Sequence, residues 1–273
     1  MMSWAYRTLT LVALTGVCLP LMAGCAWTGE SGCFSSETPP PALSIRLEES
    51  LVLGAQISSP REYLFGNVRF VQTDQVDHIY VADTASMEVK IYGPEGRHLR
   101  TIGGRGRGPG KFRGINCMWV SDDGAVIVID GLNKRITFMN SRGEVLKTKP
   151  VDTRTMLWPR RMQAIGRQFA LLYKLPESRD DSDGLFHLFD LEFEGEIDRF
   201  GSYWDFGAGQ EELELSYIQV NPGYFWVESP QAILYSPSLY RGKLYRLGRI
   251  GNQWETTQIL CGYVEGDQPL SEV

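Results

Sequence analysis

Two stretches of the chain repeat each other at a single fixed offset of 47 residues. Ile79–Asp83 corresponds to Val126–Asp130, and Val89–Tyr92 corresponds to Ile136–Met139. Each stretch is rich in β-branched or aromatic residues and lies next to Asp or Gly, the pattern of a strand that ends in a tight turn. A repeat of this size is typical of a β-propeller blade. The sequence therefore predicts an all-β fold of four-stranded antiparallel blades, an architecture that by itself specifies no chemistry.

Four repeat units can be recognised within residues 43–273, which we assign to one β-propeller domain. The units span residues 67–103, 114–149, 162–200 and 216–263. The last of them is predicted to begin with a strand at Tyr217–Val220. A further strand, Ser44–Val52, precedes all four units. We expect it to close the propeller by pairing with the blade at the other terminus, because such pairing removes an exposed sheet edge.

The N-terminus has the pattern of an export signal. Met1–Arg7 carries one positive charge, Thr8–Leu21 is almost wholly apolar, and small residues then precede Cys25. These are the parts of a secretory signal peptide. The run Met22–Cys25 resembles the lipobox of bacterial lipoproteins, in which the cysteine is acylated and becomes the new N-terminus. We predict a signal peptide at residues 1–24 and lipidation of Cys25, and the alternative is an ordinary secretory signal with an incidental cysteine.

The segment after the cysteine reads as a tether. Residues 25–42 are poor in apolar side chains and contain the run Pro39-Pro40-Pro41, and proline-rich segments of this kind form extended, semi-rigid spacers. The lipoprotein resemblance implies an exported protein that contacts the membrane through its lipid anchor. Ala26, in place of an aspartate after the cysteine, implies the outer membrane or the cell surface.

Charge and cysteine content exclude several classes of protein. The chain has 27 basic and 33 acidic residues, which argues against nucleic-acid binding because that function needs a basic footprint. Cys117 and Cys261 both lie in strand-like runs. We favour buried free thiols at these positions, and a disulfide bridge between them is the alternative. No pair of cysteines has the spacing of a metal site, and we expect no cofactor.

The first unit carries a family resemblance. Ile79–Asp83, Val89–Tyr92 and Gly96, followed by the glycine-rich run Gly103–Phe112, resemble the NHL-type repeat, and more narrowly the bacterial six-bladed β-propeller lipoproteins. The resemblance implies six blades and an envelope binding or scaffold module that engages a protein or glycan partner. Only four units are recognisable here. The remaining blades have diverged, or the propeller is smaller, or the chain is truncated at its C-terminus, which is the explanation we favour.

The best candidate for a binding site is the loop from Gly103 to Gly114. Its basic side chains concentrate positive charge on an otherwise acidic domain, although a solvated loop between two blades is the simpler interpretation. No helix follows the loop, so its glycines do not form a nucleotide-binding turn. The candidate binding residues are Arg105, Arg107, Lys111 and Arg113.

An enzymatic alternative depends on acidic and aromatic residues. Asp83 and Asp130 occupy equivalent turns, where we expect their carboxylates to accept hydrogen bonds from nearby backbone N–H groups. A metal-dependent lactonase or lyase with its site on the propeller axis would instead use such acids as ligands. We expect neither a metal site nor catalytic residues. The aromatic residues of Tyr224–Trp226, with those near Trp204, are expected to fill the core between blades.

Overall fold

The computed structural model describes residues 49–54, 59–151, 159–172, 184–201, 223–237 and 243–261. Predictions for the signal peptide, the tether, Cys25 and the strand Tyr217–Val220 lie outside these ranges. Within them, one 3-10 turn, Arg61–Tyr63, precedes an arrangement made otherwise of strands, turns and loops. None of the helical segments in these ranges has the length and hydropathy needed to cross a membrane.

In the described part of the chain, sixteen strands form four separate four-stranded antiparallel sheets, and each sheet is one blade of a β-propeller. Strands follow one another in space in the order of the chain. Blade 1 consists of β1 (Val68–Thr73), β2 (Ile79–Asp83), β3 (Glu88–Tyr92) and β4 (His98–Gly103). Blade 2 consists of β5 (Ile115–Val120), β6 (Val126–Asp130), β7 (Arg135–Met139) and β8 (Val145–Pro150). Blade 3 consists of β9 (Arg161–Ile165), β10 (Gln168–Leu172), β11 (Phe186–Asp190) and β12 (Glu196–Phe200). Blade 4 consists of β13 (Tyr224–Ser229), β14 (Ala232–Ser236), β15 (Lys243–Ile250) and β16 (Gln253–Cys261).

The predicted all-β fold and its four blades are confirmed, and the burial of the strands explains their composition. Every residue of β6 is buried, as are four of the five in β2 and in β7. Strands buried on both faces consist of continuous apolar residues, because each face packs on another blade. The outer strand β8 instead alternates between partly buried and exposed residues, as expected of a strand with one solvated face.

The core lies between successive blades. One apolar cluster joins blades 1 and 2, a second joins blades 2 and 3, and a third joins blades 3 and 4. Two glutamines on first strands add hydrogen bonds across these interfaces. Gln72 bonds the backbone of Met118 and Val120, and Gln163 bonds the backbone of Phe225 and Val227 in the same way. Neighbouring blades are thereby held in one register.

Glycines close the turns between third and fourth strands. Gly96 and Gly143, which are 47 residues apart, have φ values of 82° and 83°, a conformation that glycine adopts at little cost. A Cβ on Gly143 would lie 2.1 Å from a side-chain carbon of Ile102 in blade 1. Packing as well as backbone conformation therefore requires glycine at this turn.

The prediction of a closing strand at Ser44–Val52 is wrong for its described part, which begins at residue 49. Residues 49–54 form no strand. Side chains of Leu51 and Leu53 instead pack at Gly96, the position where Ile102 meets Gly143 in the next blade. These leucines give the segment apolar contacts with blade 1 without backbone pairing.

The aromatic prediction is correct for one residue of three in β13. Phe225 is buried, whereas Tyr224 is 54% exposed and Trp226 is 62% exposed. Side chains two residues apart in a strand share a face, and here that face is the exposed one. The prediction treated all three aromatic residues as core and therefore missed an exposed aromatic face.

Candidate functional site

One face of the blades gathers most of the residues that the sequence singled out. Antiparallel pairing places the start of each first strand beside the end of the second: Val68 pairs with Asp83, and Ile115 pairs with Asp130. The loop between β4 and β5 lies at the same side, because it leads directly into the start of β5. We call this side, which carries the turns of Asp83 and Asp130, the Asp-turn face.

Both aspartates hold the backbone of their turns, as expected. The carboxylate of Asp83 accepts from the backbone N–H groups of Gly66, Asn67 and Ala85 at 2.8–3.0 Å. Burial alone raises the pKa of Asp83, but these backbone donors outweigh it and hold the pKa below its ordinary value. Asp83 thereby fixes the entry of the chain into β1.

Asp130 does the same for blade 2. Its carboxylate accepts from the backbone N–H groups of Arg113, Gly114 and Asn133 at 2.9–3.0 Å. The side-chain amide of Asn133 adds a fourth bond at 2.7 Å. Asp130 is fully buried. The lone pairs that would bind a metal ion are therefore engaged by N–H donors.

The glycine-rich loop between β4 and β5 is held by its own basic residues. Phe112 is fully buried and anchors the loop. Its carbonyl accepts from the Gly106 N–H, and its own N–H donates to the Gly104 carbonyl, so the two ends of the loop are joined by backbone hydrogen bonds. The ammonium of Lys111 donates to the Gly103 carbonyl at 2.6 Å, and the guanidinium of Arg105 donates to the Ala85 carbonyl at 3.0 Å. Two of the four predicted binding side chains thus have structural partners.

The other two differ from each other. Arg113 contributes its backbone N–H to Asp130 and is partly buried. Arg107 has an exposed side chain, and its carbonyl accepts from the guanidinium of Arg135 at 2.9 Å. The carbonyl of Gly108 accepts from the same guanidinium at 2.6 Å. The loop presents a rigid basic surface on the Asp-turn face, and its role in binding stays a prediction.

A second basic group, which the sequence reasoning missed, lies on the first strands. First strands of successive blades lie side by side, β1 beside β5, β5 beside β9 and β9 beside β13. The guanidinium carbon of Arg69 lies 5.5 Å from the centre of the Phe70 ring, and that of Arg161 lies 5.8 Å from the same ring. Arg161 also lies 4.4 Å from the ring centre of Tyr224 in blade 4. First strands from three blades therefore converge on one point.

Arg160 completes this group, which we call the inner arginine cluster: Arg69, Arg160 and Arg161. Burial is the main cause that lowers the pKa of Arg69 below its ordinary value, and the positive charge of Arg160 lowers it further. All three guanidinium groups also act on the buried thiol of Cys117, opposing the effect of burial. The arginines therefore share one electrostatic environment at the centre of the blades.

Cys117 itself is a buried free thiol, which confirms the favoured interpretation for this residue. Burial raises its pKa to about 12, so it is neither a ready nucleophile nor a ready metal ligand. The side chain of Cys261 lies outside the description. Among the described residues, no three His, Cys, Asp or Glu side chains come together in a group that could hold a metal ion.

The repeat places arginines at equivalent positions in blades 1 and 3, but a search at the fixed offset of 47 residues does not find them. Equivalent hydrogen bonds of Gln72 and Gln163 align blade 1 with blade 3, and in this alignment Arg160 is the equivalent of Arg69. The spacing between these blades is 91 residues rather than twice 47. In blade 2 the equivalent residue is Asn116, which bonds the backbone of Gly131.

The fold and the repeated turns define the chain as a β-propeller protein. Residues 58–185 match a family described as DUF5128: 6-bladed beta-propeller. None of the curated proteins matches the chain. The comparisons thus agree with the sequence on a propeller and give six as the blade number of the matching family.

Several solved structures are similar to this chain at low sequence identity. A Bacteroides fragilis protein described as exported is similar with a TM-score of 0.51 and 15% identity, over 75% of this chain and 52% of the other. A DUF4221 family member from Bacteroides vulgatus has a TM-score of 0.44 and 12% identity, over 71% and 58%. A streptogramin B lyase has a TM-score of 0.44 and 10% identity, over 77% and 72%. The chain thus spans about half the length of the Bacteroides fragilis protein.

Proposed function

We propose that the chain is a lipid-anchored β-propeller module that binds a partner in the bacterial cell envelope, at the outer membrane or the cell surface. The observation that carries the proposal is the run Met22–Cys25 at the end of an apolar N-terminal segment. Acylation there would leave the propeller on a proline-rich tether. Each buried methylene of an acyl chain contributes about 0.8 kcal/mol, so several chains on Cys25 would anchor it stably.

The geometry of the Asp-turn face supports binding rather than catalysis. Basic side chains of the loop Gly103–Gly114 stand on a rigid frame, on a chain whose net charge is −6. A charged surface of this kind suits a protein or glycan partner of opposite charge. The single Gly-Pro-Gly loop and the 47-residue repeat also support an NHL-type repeat as the blade unit. These features support the Asp-turn face as the binding surface, and they fit either a protein or a glycan partner.

The enzymatic alternative has no observation in its favour among the described residues. Asp83 and Asp130 would be the ligands of a metal on the propeller axis. Both carboxylates already accept hydrogen bonds from backbone N–H groups. Binding a metal ion would break these bonds and destabilise the turns. The proposed function is therefore binding.

Metabolic labelling with radioactive palmitate tests the anchor directly. The full chain would be expressed in a Gram-negative host as wild type, as Cys25→Ser and as Cys33→Ser, a matched control eight residues away. We expect label and membrane association in the wild type and in Cys33→Ser, and neither in Cys25→Ser. Equal labelling of all three proteins, or an unlabelled wild type in the soluble fraction, would contradict the proposal.

A further inference from the structure

The inner arginine cluster holds positive charge that the described residues do not neutralise. Ion pairs within the described part of the chain are made by other arginines and lysines: Arg61, Arg97, Lys147, Lys149, Arg199 and Arg246. Arg69, Arg160 and Arg161 have no carboxylate partner there. Positive charges that lie close together repel one another and destabilise the fold, unless a ligand supplies a negative counter-charge.

The donor groups of the cluster are also under-used. The Nε of Arg160 is buried and donates to no acceptor in the residues that the structure describes. A buried donor without an acceptor costs free energy, so its persistence calls for an explanation. One terminal nitrogen of Arg161 donates to the Arg160 carbonyl at 3.4 Å, which is a long contact. Within the described part of the chain, the guanidinium groups of the cluster make no other hydrogen bond, so their exposed N–H groups can donate to a ligand.

Solvent can reach the inner arginine cluster, and a backbone irregularity turns the Arg69 side chain out of the regular sheet pattern. Each of the three arginines is partly exposed. Arg69 stands at a β-bulge, where the pairing of β1 with β2 shifts between Val68 and Phe70. Bulges turn side chains away from the regular sheet pattern and are common beside functional sites. The ring of Tyr224, which is 54% exposed, lies against Arg161 and adds an apolar surface at the same point.

We infer that Arg69, Arg160 and Arg161 form an anion-binding site at the centre of the blades, which takes a small ligand through its carboxylate, sulfate or phosphate group. Guanidinium groups bind such oxyanions through paired, charge-assisted hydrogen bonds. The inference deepens the proposed binding function and rests on it, but it does not require the lipid anchor. It also differs from the basic loop Gly103–Gly114, whose residues lie outside the cluster.

Calorimetric titration of the full chain in a mild detergent tests the site. The probes are sodium sulfate, sodium phosphate and sodium galacturonate, each added at constant ionic strength against sodium chloride. We expect saturable binding of at least one probe by the wild type. Binding of galacturonate alone would indicate an acidic sugar as the source of the anion, and binding of sulfate or phosphate would indicate a free or ester-linked oxyanion.

Two matched variants decide whether the cluster is responsible. Arg160→Gln removes one charge from the cluster, and Arg167→Gln removes one from the exposed turn between β9 and β10. We expect Arg160→Gln to weaken binding at least about tenfold, because it removes a charge-assisted contact, and Arg167→Gln to leave it unchanged. Saturable binding by none of the probes, or equal weakening by both variants, would overturn the inference. Palmitate labelling is independent of both results, so failure of this site and failure of the anchor can be told apart.

A second measurement guards against a variant that does not fold. Without an added anion, Arg160→Gln should melt at the wild-type temperature or above it, because it relieves repulsion within the cluster. The wild type should gain more thermal stability than the variant when the bound probe is added, since a ligand that binds the native state stabilises it. If Arg160→Gln does not fold, Arg69→Gln provides the same comparison. Equal stabilisation of wild type and a folded cluster variant would overturn the inference.

Discussion

The buried aspartate turns give a graded prediction. Replacing Asp130 by Asn keeps the shape of the side chain but converts one acceptor oxygen into a donor. Each oxygen of Asp130 accepts two hydrogen bonds. Whichever oxygen the NH2 group of the new asparagine replaces, two of the four donors therefore lose their acceptor. In Asp83 one oxygen accepts only the Gly66 N–H, so Asp83→Asn can leave a single donor without an acceptor.

The magnitude follows from the number of orphaned donors. Each buried donor that loses its acceptor costs about 1–3 kcal/mol. Taking about 1.5 kcal/mol for each, Asp130→Asn lowers the free energy of unfolding by about 3 kcal/mol, and Asp83→Asn lowers it by about 1.5 kcal/mol. In a domain of this size the loss at Asp130 corresponds to a fall in Tm of about 6–12 °C.

Urea unfolding followed by tryptophan fluorescence measures these differences. Asp122→Asn is the matched control, because Asp122 is exposed and its carboxylate has no hydrogen bond or ion pair among the described residues. We expect its effect to stay within about 0.5 kcal/mol. Two results would contradict the graded cost of orphaned donors: unfolding of Asp130→Asn and Asp122→Asn at the same urea concentration, or a larger loss of stability in Asp83→Asn than in Asp130→Asn.

Three further outcomes follow from the structure. Because the pKa of Asp83 is lower in the folded protein than its ordinary value of 3.8, its contribution is complete at neutral pH and is lost as the pH falls below about 4. Acid unfolding should accordingly show a smaller dependence on pH in Asp83→Asn than in the wild type. Gly143→Ala should cost more than about 2 kcal/mol in urea unfolding, since its Cβ would meet Ile102. The matched Gly251→Ala has a φ of 62° but open space, and should cost about 1 kcal/mol; equal costs would contradict the packing argument. Burial of Cys117 predicts that a thiol reagent modifies it only after unfolding, and rapid modification of the native protein at that residue would contradict its place in the core.

Local sequence patterns predicted the blades well where the repeat is regular. The second and third strands of blades 1 and 2 agree with the stretches that the repeat marks to within one residue, because Asp and Gly turns at a fixed spacing fix the pairing. The hydrogen-bonding role of Asp83 and Asp130 was predictable for the same reason. Both follow from interactions within a few residues or within one blade.

Features that depend on contacts between blades were not predictable from the same patterns. The predicted strand Ser44–Val52 has suitable composition, but pairing depends on a partner edge, and its described residues pack through leucine side chains instead. Exposure of Tyr224 and Trp226 depends on what covers the face of β13. The inner arginine cluster joins residues about 90 positions apart, so only the geometry of the blades brings Arg69 and Arg161 to the same phenylalanine ring, that of Phe70.

Amide hydrogen exchange of the full chain, measured with and without sodium sulfate, tests two things at once: the propeller fold, and the anion-binding site that we infer at the inner arginine cluster. We predict strong protection of β2 and β6 in both conditions, and added protection with sulfate in peptides that contain Arg69 and Arg160–Arg161. Weak protection of these strands, or a sulfate effect confined to the loop Gly103–Gly114, would contradict the account.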